Sequence, residues 1–345
     1  MKLSDFNYPL PRNLIAKYPV SPRDKARLMV LNRETQEIEL KHFSNIIDYL
    51  EPGSCLVLNE TKVFPSKLIG RKEKTNAKIE VLTLRELSKE EKLWDVIVDP
   101  ARKVRIGNKI YFDDNKFYCE VIDNTTSRGR TVRFNTKDDF YKIINKIGKM
   151  PLPNYIKRDP TEKDKETYQT VFAKNVGSVA APTAGLHFTK PLLTKIKNKG
   201  VKIAYVTLHI GRGTFRTVEV EDLTKHRMDS EFFEITPENA DIINKCIQKK
   251  GKIIAVGTST TRAIESSVTT ECFVKPTKDW TDKFIFPPYT FKTVNKLITN
   301  FHLPNSTLLM LVAAFGDRDF VMKGYKKAVK ESFRFYSYGD AMMII

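Results

Sequence analysis

AKIEVLTLRE, residues 77–86, alternates polar and apolar side chains with a period of two, the mark of a half-buried β-strand. Outward from it, SKLIGRK (66–72), LWDVIVD (93–99), NKIYF (108–112), KFYCEVID (116–123) and RTVRF (130–134) have the same texture. Gly70, Gly107 and Gly129 punctuate these runs, as do Asp113–Asp114 and Asp123–Asn124. Six short strands at nearly regular spacing predict an antiparallel barrel or sandwich module.

The flanks read differently. FSNIIDYL (43–50) has helical spacing and stops at Pro52–Gly53, and CLVLN (55–59) has strand length. DDFYKIINKIG (138–148) returns to helical spacing, with Gly148 as its stop, and MPLPNYIKRDP (150–160) is proline-rich and irregular. KPLLTKIKNKG (190–200) predicts an amphipathic helix and VKIAYVTLHI (201–210) an apolar strand. TPENADIINKCIQKKG (236–251) has Thr236 as N-cap, Pro237 in the first turn and Gly251 as its stop. KIIAVG (252–257) is a buried strand, TSTTRAIESSV (258–268) opens a helix, and VNKLITN (294–300) is another strand. Strand and helix alternate from residue 180 onward, which predicts an α/β layer with parallel strands. The expected architecture is an α/β body, residues 1–65 and 136–345, with an antiparallel β-barrel inserted at 66–135.

Length and composition agree with a two-part protein. The chain has 345 residues, 41% of them hydrophobic and 29% charged. Lys plus Arg number 59 against 41 Asp plus Glu, a net charge of +18. That excess fits a binder of polyanions, nucleic acid first, or a lysine-rich surface with no such duty. Cys55, Cys119, Cys246 and Cys272 are too dispersed for a zinc ribbon or a disulfide scaffold, which suits a reducing cytoplasm. MKLSDFNYPLPRN lacks the apolar run of a signal peptide, and TLLMLVAAF (307–315) is too short to span a bilayer. The phosphate-loop, zinc-deaminase and G-x-S-x-G hydrolase motifs do not occur.

Three of the five histidines adjoin the ends of apolar segments, in loops with Gly, Pro or Ser. They are His187 in TAGLHF, His209 in TLHIGRGTF and His302 in NFHLPNST; His226 lies in KHRMDSE. Ligands of α/β sheets bind at the carboxyl ends of strands, where imidazoles suit proton transfer near neutral pH. Taken singly, each is equally a hydrogen-bonded loop histidine. Their spacing matches no metal motif, so no metal is expected. AVGTSTTR (255–262) joins a strand to a helix start, where free N–H groups favour an anion. Arg262 could clamp a carboxylate or phosphate; the alternative is plain N-capping by Ser259 or Thr260. Gly211–Gly213 lacks the third glycine of a dinucleotide fingerprint. Lys62, Lys67, Arg71 and Lys72 in LNETKVFPSKLIGRK, with Arg102, Lys103 and Arg105 in ARKVR, could track phosphates or line a solvated face.

MPLPNYIKR, VAAPTAGLHFT, VTLHIGRGTF, HRMDSE, IAVGTSTTR, TNFHLPNSTLLMLVAAF and FRFYSYGDAM occur in this order, after LIAKYPVSPRDKARL and LVLNETKVFPSKLIG. This set resembles the S-adenosylmethionine:tRNA ribosyltransferase-isomerase family of queuosine biosynthesis over the full length. The resemblance implies an α/β body with an inserted β-barrel. It implies transfer and isomerisation of the ribosyl part of S-adenosylmethionine onto 7-aminomethyl-7-deazaguanine at the tRNA wobble position, giving epoxyqueuosine, adenine and methionine. S-adenosylmethionine is then a consumed substrate, and no cofactor is implied. His187 and His209 stand in the family motifs as the expected acid and base. Gly185, Gly211, Gly213, Asp229, Glu231, Thr258, Ser259, Thr260, Arg262, Asn300, His302 and Ser306 are expected to line the substrate site, and the seven basic residues above to meet RNA. Many members carry arginine where this chain has Lys62 and Lys67, which keep the charge but lose the bidentate fork. A cytoplasmic monomer with no membrane contact is expected. The alternative is a non-catalytic tRNA-binding protein. An ordinary methyltransferase would need a glycine-rich first loop that is missing.

Overall fold

The computed structural model describes residues 1–113, 117–126, 128–211 and 218–345. The chain enters through β1 (Arg27–Leu31), β2 (Ile38–His42), β3 (Cys55–Asn59) and β4 (Thr61–Val63). Six strands follow: β5 (Lys67–Lys72), β6 (Lys78–Ser88), β7 (Leu93–Asp99), β8 (Lys109–Phe112), β9 (Phe117–Asn124) and β10 (Gly129–Asn135). They close into an antiparallel barrel in the order β10-β7-β6-β5-β8-β9.

Period-two patterning builds that barrel. Trp94, Val96 and Val98 of β7 point inward with Ile79 and Val81 of β6 and Cys119 and Val121 of β9. Each fully buried aliphatic side chain contributes about 2 kcal/mol. Gly70 is no punctuation mark. It sits inside β5, and a Cβ there would fall 2.7 Å from Ile110 and Phe112 across the interior. Helix α1 (Phe140–Ile147) packs its Ile144 against the barrel core, and Phe140 stacks on Trp94 at 4.3 Å. Asp139 caps it by accepting from the Lys142 N–H, and Gly148 ends it where a Cβ would lie 2.0 Å from the Pro65 carbonyl.

The rest of the chain adds α2 (Asp164–Thr167), β11 (Asn175–Ser178), α3 (Lys190–Asn198), β12 (Lys202–Leu208), β13 (Glu231–Ile235), α4 (Pro237–Gln248) and β14 (Ile253–Val256). Then come α5 (Thr258–Ser267), β15 (Thr277–Thr281), β16 (Lys296–Asn300), α6 (Thr307–Gly316), α7 (Arg318–Lys330) and β17 (Ala341–Ile344). The predicted helix at 43–50 is a 3-10 turn, Phe43–Tyr49.

A nine-stranded sheet orders β15-β13-β12-β3-β14-β16-β17-β1-β2. Its four central strands, β12, β3, β14 and β16, run parallel, as expected. The flanks are mixed: β13 is antiparallel to β12 and β15 to β13 on one side, and β17 is antiparallel to β16 on the other. One crossover helix returns a chain to the same end of the sheet and gives a parallel neighbour, whereas two helices in series, α6 and α7, reverse it. Helices α4 to α7 bury Ile243, Ile264, Met310 and Tyr325 on one face. On the other face α3 and the 3-10 turn bury Ile196 and Phe43. The central strands are therefore buried on both faces, and a crevice opens at their carboxyl ends.

Candidate active site

Strand β14 stops at Gly257, whose φ of +93° only glycine adopts without strain. The turn starts α5 one residue later, so Gly257, and neither Ser259 nor Thr260, is the N-cap. Thr260 and Thr261 instead donate their hydroxyls back to the Val256 and Gly257 carbonyls. The α5 N-terminus thereby opens into a crevice of about 490 Å³, its mouth included. Pro182, Thr183 and Ala184 form one wall, Ile210 and Glu231 a second, and Thr299, Asn300 and His302 a third, with Thr258, Ser259 and Arg262 from α5.

Arg262 is no open clamp. Its Nη1 meets Glu231 Oε2, its Nε donates to the Lys283 carbonyl at 2.9 Å and its Nη2 to the Thr281 carbonyl at 3.2 Å. Glu231 also accepts from the Gly211 N–H at 2.7 Å. Both side chains are 4% exposed, so this ion pair is a built wall that ties β13, β15 and α5 together. It leaves the crevice without a bare guanidinium at that point.

Asn300 is the hinge between two cavities. Its Nδ2 donates to the Tyr336 carbonyl at 3.3 Å, which fixes the orientation of the amide, because a carbonyl can only accept. The second hydrogen of Nδ2 points at His187 Nε2, 3.2 Å away, so that nitrogen accepts and the ring proton sits on Nδ1. Asn300 Oδ1 accepts from Thr183 Oγ1 at 2.8 Å. His187 itself lines a separate small cavity with Arg23, Thr167 and Tyr338 and meets the crevice through Asn300. Burial pushes its pKa down to about 4, and the charges of Arg334 and Arg23 add to the effect.

His209 lies elsewhere again. Its ring stacks on Phe232, bonds Thr61 Oγ1 through Nδ1 at 2.8 Å and presses on Gly177, where a Cβ would fall 2.5 Å from Nε2. Residues 208 and 209 point to opposite faces of the sheet. Leu208 faces the core while His209 faces the β4–β11 side, away from the crevice lining. Burial holds its pKa near 4. His302 does line the crevice, with Nε2 2.8 Å from Thr299 Oγ1, and burial pushes it to about 3.

The other expected site residues divide. Thr258, Ser259 and Asn300 line the crevice. Thr260 is buried behind it, and Ser306 caps α6, accepting from the Leu309 N–H. Gly185 does not face the crevice: a Cβ there would meet Phe172 and Thr170 at 2.9 and 3.0 Å, so its smallness serves packing. Asp229 is exposed and outside the lining; its charge acts on Asp95 of the barrel. Gly213 lies outside the described residues. Thr183, Thr299, Ile210 and Asn59 escaped the sequence reading. Asn59 ends the apolar run CLVLN, and a buried amide closing a central strand was the available signal. Among the described residues no group of three or more His, Cys, Asp or Glu could hold a metal ion.

Most of the basic residues gather on one corner of the barrel. Lys72 Nζ donates to the Lys103 carbonyl at 2.9 Å, which joins Arg71 and Lys72 to the exposed Arg102, Lys103 and Arg105. Lys62 is exposed on β4. Lys67 is paired with Glu80 at 2.6 Å and lines a groove of the MPLPNYIKR segment with Lys157 and Arg158. No helix among the described residues is long and apolar enough to cross a membrane.

This arrangement has close counterparts. The sequence model described as queuosine biosynthesis protein matches residues 3–344. The S-adenosylmethionine:tRNA ribosyltransferase-isomerase of Chloroherpeton thalassium is 58% identical over 346 residues, covering all of both chains. The protein of the same name from Cytophaga hutchinsonii is 56% identical over 348 residues, again covering both chains in full. The crystal structure of S-adenosylmethionine tRNA ribosyltransferase from Thermotoga maritima superposes with a TM-score of 0.55 at 37% identity, covering 99% of this chain and all of that one. Barrel, mixed sheet and strand-end crevice thus occur in a chain that matches these relatives from end to end, and it belongs to the queuosine biosynthesis protein family.

Proposed function

We propose that this chain is an S-adenosylmethionine:tRNA ribosyltransferase-isomerase, and that the strand-end crevice is where S-adenosylmethionine reacts. The observation that carries the reading is identity of 58% and 56%, without gaps in coverage, to two proteins of that name. The reaction moves the ribosyl group of S-adenosylmethionine to the aminomethyl nitrogen of 7-aminomethyl-7-deazaguanine in the tRNA wobble position. It isomerises the sugar to an epoxycyclopentanediol and releases adenine and methionine. S-adenosylmethionine is consumed, so it is a substrate and no separate cofactor takes part. We further propose that the protein acts in the cytoplasm as a monomer.

The crevice offers what such a substrate needs. The α5 N-terminus favours the carboxylate of the methionine end. Thr183 has committed its proton to Asn300, so its oxygen turns lone pairs outward for a sugar hydroxyl. Burial lowers the pKa values of His187, His209 and His302 to about 4, 4 and 3, so each is neutral at pH 7. The proton beside the sulfonium is the one to be removed first; His187 and His209 are the bases proposed for that step, which requires the bound substrate to extend past the crevice lining to reach either ring. The basic barrel corner and Lys62 suit the tRNA backbone.

Incubation with S-adenosylmethionine and precursor-modified tRNA is expected to release adenine and methionine in equal amounts, measured by liquid chromatography. Tight, salt-sensitive tRNA binding without adenine release would favour the non-catalytic reading instead. His187→Ala or His209→Ala is expected to cut turnover by about 10²–10⁴-fold where the imidazole moves the proton. A loss under about tenfold leaves His187 as a positioning group for Asn300.

A further inference from the structure

Asn59 closes strand β3 beneath the crevice and is 1% exposed. Its Oδ1 accepts from the Leu208 and Thr61 N–H groups, each at 3.1 Å. Its Nδ2 donates to the Leu208 carbonyl at 3.0 Å. Two N–H donors on one end and a carbonyl on the other leave a single orientation for the amide. The remaining Nδ2 hydrogen points at Ser259 Oγ, 3.1 Å away. Ser259 is 8% exposed and lines the crevice at the start of α5, and among the described residues its hydroxyl makes no other hydrogen bond. One of its two lone pairs is taken from behind, so its own hydrogen cannot point back at Asn59 and is free to turn toward the crevice. Thr258 beside it, also 8% exposed, has a hydroxyl with no hydrogen bond to any described residue.

We propose that Asn59 is a positioning residue that orients the Ser259 hydroxyl and leaves its hydrogen free to donate to an anionic oxygen of the sulfonium substrate, the carboxylate of its amino-acid end. The inference rests on the function proposed above and deepens it. The logic is one of polarity. An unassisted serine hydroxyl rotates and offers either a proton or a lone pair. Asn59 restricts that freedom by holding one lone pair and keeping the hydrogen off its own side, so the Ser259 O–H can join the free N–H groups of the first turn as a donor to an anion at the start of α5. Across the crevice Thr183, its proton held by Asn300, presents an acceptor. The substrate is thereby read in one direction, carboxylate toward α5 and sugar hydroxyls toward Thr183.

The test is a double-mutant cycle on affinity for S-adenosylmethionine, measured by calorimetry, with kcat, KM and Tm alongside. Ser259→Ala is expected to raise Kd about tenfold, the effect of losing a hydrogen bond to a charged group. Asn59→Asp keeps the shape but turns a donor into an acceptor, so the serine proton is drawn away from the crevice; Kd again rises about tenfold. The two changes together are expected to be little worse than either one, because both remove the same bond. Losses that multiply to about a hundredfold overturn the inference, since Asn59 then acts independently of Ser259. An unchanged Kd in Ser259→Ala overturns it as well, and that variant decides the matter should Asn59→Asp fail to fold. Absence of S-adenosylmethionine binding by the unaltered protein would instead defeat the function proposed above, a result distinct from either.

Discussion

The Arg262–Glu231 pair shows what a residue's neighbours add to its type. An arginine at the head of a helix beside a crevice reads as a carboxylate clamp, and the sequence supports that reading. Its partner stands 31 positions earlier, on a strand whose placement beside α5 depends on the whole sheet. Breaking a buried pair from one side leaves the other charge in a low-dielectric wall, at a cost of about 3–5 kcal/mol. Arg262→Met is therefore expected to lower the urea midpoint sharply, by that amount in unfolding free energy. A guanidinium that served mainly to clamp substrate would give the opposite pattern, weak binding with stability intact. His187 teaches the same lesson. TAGLHF marks it plainly, and its place behind Asn300 rather than beside it depends on a 113-residue contact that no local pattern encodes.

Period and punctuation made most of the elements legible. The six barrel strands follow from alternation, α1 and α4 from their caps, and the four central strands from short apolar runs. What failed was Gly70 read as a break. Gly70 lies inside β5 because the barrel interior has no room there for a methyl group beside Ile110 and Phe112. Gly70→Ala is expected to destabilise the protein by about 1–3 kcal/mol through overpacking, seen as a lower Tm, while the crevice keeps its affinity for S-adenosylmethionine. Gly257 makes a contrasting case. Its φ of +93° with ψ of 153° sets the angle between β14 and α5, and a Cβ there meets nothing closer than 3.7 Å. Gly257→Ala therefore strains the backbone by about 1–3 kcal/mol without a clash, and it is expected to weaken substrate binding, because α5 must tilt to relieve the strain. Strand direction was the other gap: periodicity identifies a strand but not its sense, and the paired helices α6 and α7 decide the sense of β17.

The charge of the whole chain, +18, was legible at once, and the structure gathers part of it at one barrel corner. Removing one phosphate contact there, as in Arg105→Ala, is expected to reduce the slope of log K against log salt for tRNA by about one. Its acid stability follows from the histidines instead. His187, His209 and His302 ionise near 4, 4 and 3 in the folded chain against about 6.5 when unfolded. Between pH 6.5 and 4 the unfolded chain binds more protons, so stability rises with pH across that window and is complete above it. Each depressed imidazole contributes on the order of 3 kcal/mol to that rise, offset in part by Glu60, Glu86, Asp95 and Asp340, whose carboxyl pKa values burial raises. Asp164, held down near 2 by the Arg158 fork and by the Thr161 and Tyr338 donors against the cost of its burial, acts only at lower pH. Thermal unfolding followed from pH 8 to 4 is thus expected to show a constant Tm down to about 6.5 and a steep fall below it. His302→Gln, which has no proton to take up, is expected to flatten that fall, and a Tm that stays level to pH 4.5 in the unaltered protein would show that the three rings are not held neutral.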